Sequence, residues 1–208
     1  MEKDVSTILF DLGGVILNLD YNLTIEAFNK IGKESFKNLY SQASQDDTFD
    51  LFETGQISKE EFRNYIRNVL GTHLTDEMID SAWNAMLLDL PEERVELLLQ
   101  LKERYRICLF SNTNAIHLRK FQEIIRDAYG NSNLLEELFH KTYYSHLIGE
   151  RKPNQSAFEY ILKDQSLRPE EVLFIDDSIQ HIKGAESLGM ATHHLIDSDV
   201  LTLIKRFV

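Results

Sequence analysis

Ser6-Thr-Ile-Leu-Phe-Asp-Leu-Gly-Gly14 is the stretch on which the fold turns. A short apolar run that stops at a carboxylate and a pair of glycines reads as a buried strand entering a tight bend. Three more runs have this form: Tyr105-Arg-Ile-Cys-Leu-Phe110, Lys141-Thr-Tyr-Tyr144 and Glu171-Val-Leu-Phe-Ile175. Ala191-Thr-His-His-Leu195 is a weaker fifth. Polar residues and then a helical pattern follow each run. Strands alternating with amphipathic helices predict an α/β fold, with a parallel sheet covered on both faces. In such sheets ligands collect beyond the carboxyl ends of the strands, which directs attention to Asp11, Ser111-Asn112 and Asp176-Asp177.

The alternation breaks between about Asn18 and Leu88, where helical segments replace strands. Thr24 to Ile31 carries Ile25, Phe28 and Ile31 at helical spacing. Ser58-Lys-Glu-Glu61 is a capping-box sequence that opens a helix with Phe62, Ile66 and Leu70 on one face. Thr75 starts another that runs through Trp83, and Gly55 and Gly71 punctuate the pieces. The expectation is a core of residues 1–17 and 89–208 carrying a helical insertion at 18–88.

Composition narrows the partners. The chain has 208 residues, 22 basic and 34 acidic side chains, and a formal charge of −12. Such a field repels polyanions and argues against nucleic acid. A phosphorylated ligand then needs local positive charge from a metal or a particular lysine. No apolar run approaches the roughly 18 residues that cross a bilayer, and Met1-Glu-Lys-Asp4 does not open like a signal peptide. The lone Cys108 lies in an apolar run and reads as a buried structural thiol. A cytoplasmic protein, monomeric or weakly dimeric, with no membrane partner, is the expectation.

Each strand end has a chemical and a plain structural reading. Asp11-Leu-Gly-Gly14 allows close backbone approach by a ligand, or is an ordinary turn. Ser111-Asn-Thr-Asn114 offers hydroxyl and amide groups that either cap a helix or present its amino end to phosphate. Lys152 precedes Pro153, a residue suited to the first turn of a helix. Adjacent Asp176 and Asp177 repel one another at a strand end, which favours a cation; oxygen donors suit magnesium.

Taken in order, Ile8-Leu-Phe-Asp-Leu-Gly-Gly-Val-Ile16, Phe110-Ser-Asn112, Arg151-Lys-Pro153 and Phe174-Ile-Asp-Asp177 resemble the four motifs of the haloacid dehalogenase-like hydrolases. That resemblance implies a Rossmann-like three-layer core with strand order 5-4-1-2-3 and an inserted α-helical cap. It implies a magnesium-dependent phosphatase acting on a small phosphorylated metabolite. Asp11 would be the nucleophile, passing through an aspartyl phosphate. Ser111 and the Asn112 backbone would hold phosphoryl oxygens, and Lys152 would neutralise charge. Mg2+ would be held by Asp11, Asp177, the Gly13 carbonyl and, directly or through water, Asp176.

Two positions depart from the family pattern. Most of its phosphatases carry a second aspartate, a general acid and base, where this chain has Gly13; His181 stands where many relatives have another aspartate near the metal. Such acid–base help is typically worth about 10²–10⁴ in rate. Sugar 1-phosphates, whose anomeric alkoxide leaves with less need of a proton, suit a site without it. A subgroup containing bacterial α-glucose-1-phosphate phosphatase is similar at Gly13, at Glu53-Thr-Gly-Gln-Ile-Ser58 and at Ser111-Asn-Thr-Asn114 with His117. Asn18, Asp20, Tyr21 and Asn114 are candidate substrate contacts. A metal-independent 2-haloacid dehalogenase and a weakly active binding protein are the alternatives; the paired Asp176-Asp177 weighs against the dehalogenase.

Overall fold

The structure is a computed structural model and describes residues 5–32, 36, 47–70, 74–196 and 199–205; the expected break at Gly71 lies outside them. Five strands, β1 (Thr7–Phe10), β2 (Arg106–Ser111), β3 (Lys141–Tyr144), β4 (Val172–Asp176) and β5 (Ala191–His194), form one sheet in the order β3-β2-β1-β4-β5. This is the expected order, read from the other edge. All four pairings are parallel. The first strand is therefore central, with the ends of β2 and β4 on either side of Asp11.

Alternate strand residues face opposite layers, as the period of two requires. Ile8, Phe10, Ile107, Leu109, Leu173 and Ile175 pack under α5 (Glu92–Lys102), α6 (Ala115–Tyr129), α7 (Leu134–Leu138) and α11 (Val200–Ile204). Leu9, Cys108, Phe110 and Phe174 face α9 (Gln155–Gln165) and α10 (Ile179–Glu186) on the other side, and the short α8 (Ser145–Ile148) follows β3 directly. Three layers result. Burial pushes the Cys108 thiol up to about 11, so it is inert packing. Pro153 lies two residues before α9, in the turn that leads to it, and not in its first turn.

Between β1 and α5 the chain makes α1 (Tyr21–Ile31), α2 (Asp47–Glu53), α3 (Lys59–Leu70) and α4 (Asp76–Asn84). The capping box at Ser58 forms: the Ser58 amide donates to Glu61 Oε2 at 2.8 Å, and the Glu61 amide donates to Ser58 Oγ at 3.2 Å. These helices enclose a separate aromatic cluster of Phe28, Phe36, Phe49, Phe52, Phe62 and Trp83. The chain leaves and re-enters the core side by side. Asn18 and Asp20 donate through their amides to the carbonyls of Asp89 and Met86 at 2.9 and 3.0 Å.

Candidate active site

Each strand of the central trio ends in a polar group, and the parallel register brings these ends to one level. The Asp11 amide donates to the Ile175 carbonyl at 2.9 Å, which fixes the nucleophile candidate against β4. Lys152, fully buried, ties the ends together. Its Nζ donates to Asp11 Oδ1 at 2.6 Å, to Asp176 Oδ2 at 2.7 Å and to the Phe110 carbonyl at 2.9 Å. All three ammonium protons are thus accounted for. The faces of Phe110 and Phe174 flank the charge at 5.2 and 5.4 Å, adding cation–π attraction.

The lysine is held through its own backbone. Asn112 Nδ2 donates to the Lys152 carbonyl at 2.8 Å, and the Lys152 amide donates to Asn112 Oδ1 at 2.9 Å. This reciprocal pair joins residues forty positions apart. Asp176 is as firmly placed: its Oδ1 accepts from the Ser178 amide at 2.8 Å, and His181 Nδ1 lies 3.0 and 3.1 Å from its two oxygens.

The bend after Asp11 shapes the rest. Gly14 has a φ of +76°, and a Cβ there would come within 2.4 Å of Asp177 Oδ2. A glycine is what lets that carboxylate approach. A Cβ at Gly13 would meet Leu19 Cδ1 at 2.4 Å. The space beside Gly13 is taken by the Leu19 side chain.

Asp11, Gly13, Ser111, Asn112, Asp177 and His181 border one cavity of about 90 Å³, while Lys152 and Asp176 stand behind its wall. Leu19, Tyr21 and Glu53 reach it from the insertion side of the chain. Three of the four candidate substrate contacts, Asn18, Asp20 and Asn114, do not border it. Asn114 is fully buried and caps α6: its Oδ1 accepts from the amides of Ile116 and His117 at 3.1 and 3.0 Å. Its amide group also meets His117 Nδ1 at 3.2 Å, so Asn114 serves the helix and does not border the cavity. Asn18 donates to Asp89 where the two chain crossings pair, and Asp20 caps α1.

Oxygen donors from Asp11, Asp176 and Asp177 all lie within 4.8 Å of one another. Their electrostatics fit a divalent cation. Burial lifts the Asp11 carboxyl above its ordinary range against the pull of Lys152, and the Asp176 charge adds to the rise. Burial acts upward on Asp176 too, but Lys152 and His181 outweigh it and hold that carboxyl at about 2. Asp11 and Asp176 share one buried ammonium with the Asp177 carboxylate close by, and an oxygen-seeking cation would relieve the negative charge gathered there.

The model for haloacid dehalogenase-like hydrolases matches residues 5–189. The chain belongs to that family. It is 29% identical over 188 residues to D-ribitol-5-phosphate phosphatase of Bacteroides thetaiotaomicron, a match covering 90% of each protein. A haloacid dehalogenase family enzyme of the same organism, solved with magnesium and inorganic phosphate, is 37% identical, with a TM-score of 0.82 over 96% of this chain and 98% of that one. An aspartate-to-alanine form of that enzyme, also with magnesium and phosphate, superimposes with a TM-score of 0.89 at 36% identity, over 96% and 98%. A sesquiterpene phosphatase of Aspergillus oryzae is 26% identical over 91% of this chain and 89% of its own. L-2-haloacid dehalogenase of Xanthobacter autotrophicus shares the fold, with a TM-score of 0.61 over 98% of this chain and 88% of its own, at only 15% identity. This member of the family is a hydrolase, and its phosphatase relatives place it among the phosphoric monoester hydrolases.

Sequence reasoning located the carboxylates and the lysine but missed four partners. They are the Asn112 side-chain clamp, the His181 bond to Asp176, the Leu19 side chain beside Gly13, and an ion pair between Arg151 and Glu53. His181 carried a signal as a departure from the family pattern, and Asn112, Arg151 and Glu53 lie in motifs legible in the sequence, though nothing there pairs them.

Proposed function

We propose that this chain hydrolyses a small phosphorylated metabolite, with Asp11 as nucleophile. The observation that carries this reading is the buried Asp11–Lys152–Asp176 triad beside Asp177, at the head of a cavity. An Asp11 oxygen attacks phosphorus, and the bond to the leaving oxygen breaks. Water then attacks the phosphorus of the aspartyl phosphate, which releases inorganic phosphate and restores the carboxylate. Splitting hydrolysis into two displacements requires an anionic nucleophile whose approach to phosphate is electrostatically masked.

Lys152 supplies part of that masking from behind the nucleophile. Magnesium, held by Asp11, Asp177, the Gly13 carbonyl and Asp176 directly or through water, supplies the remaining positive charge when bound. Ser111, which borders the cavity, and the Asn112 backbone take the phosphoryl oxygens. The leaving oxygen obtains its proton from a source other than position 13, where Leu19 lies over a glycine. Residues 18–88 act as a cap, with Leu19, Tyr21 and Glu53 reaching the cavity from that side. Sugar and polyol phosphates are the substrate class we favour, sugar 1-phosphates among them. Cytoplasmic residence fits the reduced, buried Cys108, and no helix among the described residues is long and apolar enough to cross a membrane.

The test is phosphate release from a panel of phosphorylated metabolites, with magnesium or EDTA, by the wild type and Asp11→Asn. Metal-dependent release that vanishes in the variant is expected. Chloride release from 2-chloropropionate without metal would replace this reading with the dehalogenase one.

A further inference from the structure

Beyond the reacting groups the cavity wall carries Tyr21, Thr113 and His117 among apolar side chains, and one pair of charged groups. Glu53, at the end of α2, and Arg151, next to the active-site lysine, border the cavity and bind each other across 98 positions of sequence. Arg151 Nε and Nη2 both lie 3.0 Å from Glu53 Oε2, and Nη1 lies 2.8 Å from Asp50 Oδ1. The inner pair is sheltered, with side-chain exposures of 19% for Arg151 and 13% for Glu53, whereas Asp50 is at 44%. Among the described residues these contacts engage one face of the planar five-donor guanidinium fork, with the Nε–H donating to Glu53 and the terminal nitrogens beside Glu53 and Asp50.

We infer that Glu53 and Arg151 determine specificity by reading the hydroxyl groups of a polyhydroxylated leaving group. The inference rests on the phosphatase reading and narrows it. A carboxylate on the leaving group would be repelled by Glu53, and an ammonium by Arg151. A hydroxyl donates and accepts at once, so it suits both members of the pair. An apolar leaving group would cover the pair without replacing its water, a desolvation penalty with no compensating bond. Polyol and sugar phosphates satisfy these conditions; alkyl and terpenoid phosphates do not.

The test compares two esters of equal chain length, D-ribitol 5-phosphate and 1-pentyl phosphate, with magnesium present. The wild type should show the higher kcat/KM for the polyol ester. In Glu53→Gln the ratio of the two kcat/KM values should fall roughly ten- to a hundredfold, as expected for hydrogen bonds to a charged group. Arg151→Lys, which keeps the charge but not the fork, should lower it in the same direction. Asp50→Asn weakens the outer, more exposed contact and should leave the ratio within about twofold. Thermal melting and residual p-nitrophenyl phosphate turnover report whether each variant is folded. The inference is overturned if the wild type does not prefer the polyol ester, or if Glu53→Gln lowers both esters equally. It is also overturned if Asp50→Asn shifts the ratio as much, because the pair is then a latch. If the folded wild type hydrolyses neither ester nor p-nitrophenyl phosphate, the phosphatase reading itself fails.

Discussion

The strand ends of β1, β2 and β4 bury charge, whereas the insertion buries rings. At the strand ends Lys152 and Asp176 are wholly enclosed, and each is held by three or more short polar contacts. In the insertion Phe52 stacks on Phe62 at 4.3 Å and Phe28 on Phe36 at 4.1 Å, and the ion pairs lie nearer the surface. Buried charge demands fixed partners, because losing one leaves the other unpaired in a medium that solvates it poorly. Aromatic packing is less directional and gives a body that can move as a unit. One region is therefore suited to chemistry, the other to covering it.

Variants should separate the two regions by what they damage. Lys152→Met removes the charge that Asp11 and Asp176 share. Its kcat/KM should fall about 10³-fold, and urea unfolding should show a loss of roughly 3–5 kcal/mol. Loss of stability without loss of activity would mean that the lysine only supports the fold. Phe62→Ala empties the centre of the insertion and should cost roughly 3–5 kcal/mol in the same assay. Magnesium activation should survive in the fraction that remains folded; abolished activation would mean that the strand-end site depends on the packing of the insertion.

The seam between the regions carries its own prediction. His117 stacks on Trp83 at 4.7 Å, and burial lowers its pKa to about 4 against the weaker opposing pull of the Trp83 carbonyl. The unfolded chain takes up this proton near pH 6.5 and the folded one near 4, so stability falls as pH drops through that window. The loss attributable to this group reaches about 3 kcal/mol. His117→Gln should flatten the pH dependence of the unfolding midpoint between pH 4 and 6.5, and an unchanged slope would remove His117 as its source. The smallest expected effect is on the insertion surface. Arg63 pairs with Asp76 at 2.8 Å and Asp80 at 2.6 Å, yet Arg63→Met should cost only about 1 kcal/mol or less by urea unfolding.

The same contrast explains what could be read from sequence. Strands β1, β2 and β4 were legible because parallel strands buried on both faces are nearly continuous apolar runs, whereas β3, at the sheet edge, is buried only at Tyr143 and Tyr144. The fifth, Ala191–His194, is half-buried along its length and gave a correspondingly weaker signal. Asp11, Asp176 and Asp177 were legible because they stop such runs. Asn114 was ambiguous, since one amide can cap a helix or meet a ligand, and its full burial decides for the cap. In the insertion, the capping box announced α3 locally, but α2 carries no such signature. Glu53–Arg151 and Asn112–Lys152 are pairings that only the closed sheet and the docked insertion create. Leu19 beside Gly13 is equally invisible, because the bend between them sets the contact.

The most direct test of Asp11 as nucleophile is acid quenching during turnover with magnesium, followed by mass analysis of the peptide that contains it. A phosphoryl adduct on Asp11 is expected in the wild type, absent with EDTA, together with loss of turnover in Asp11→Asn. Wild-type turnover in Asp11→Asn, or an adduct confined to another residue, would contradict it.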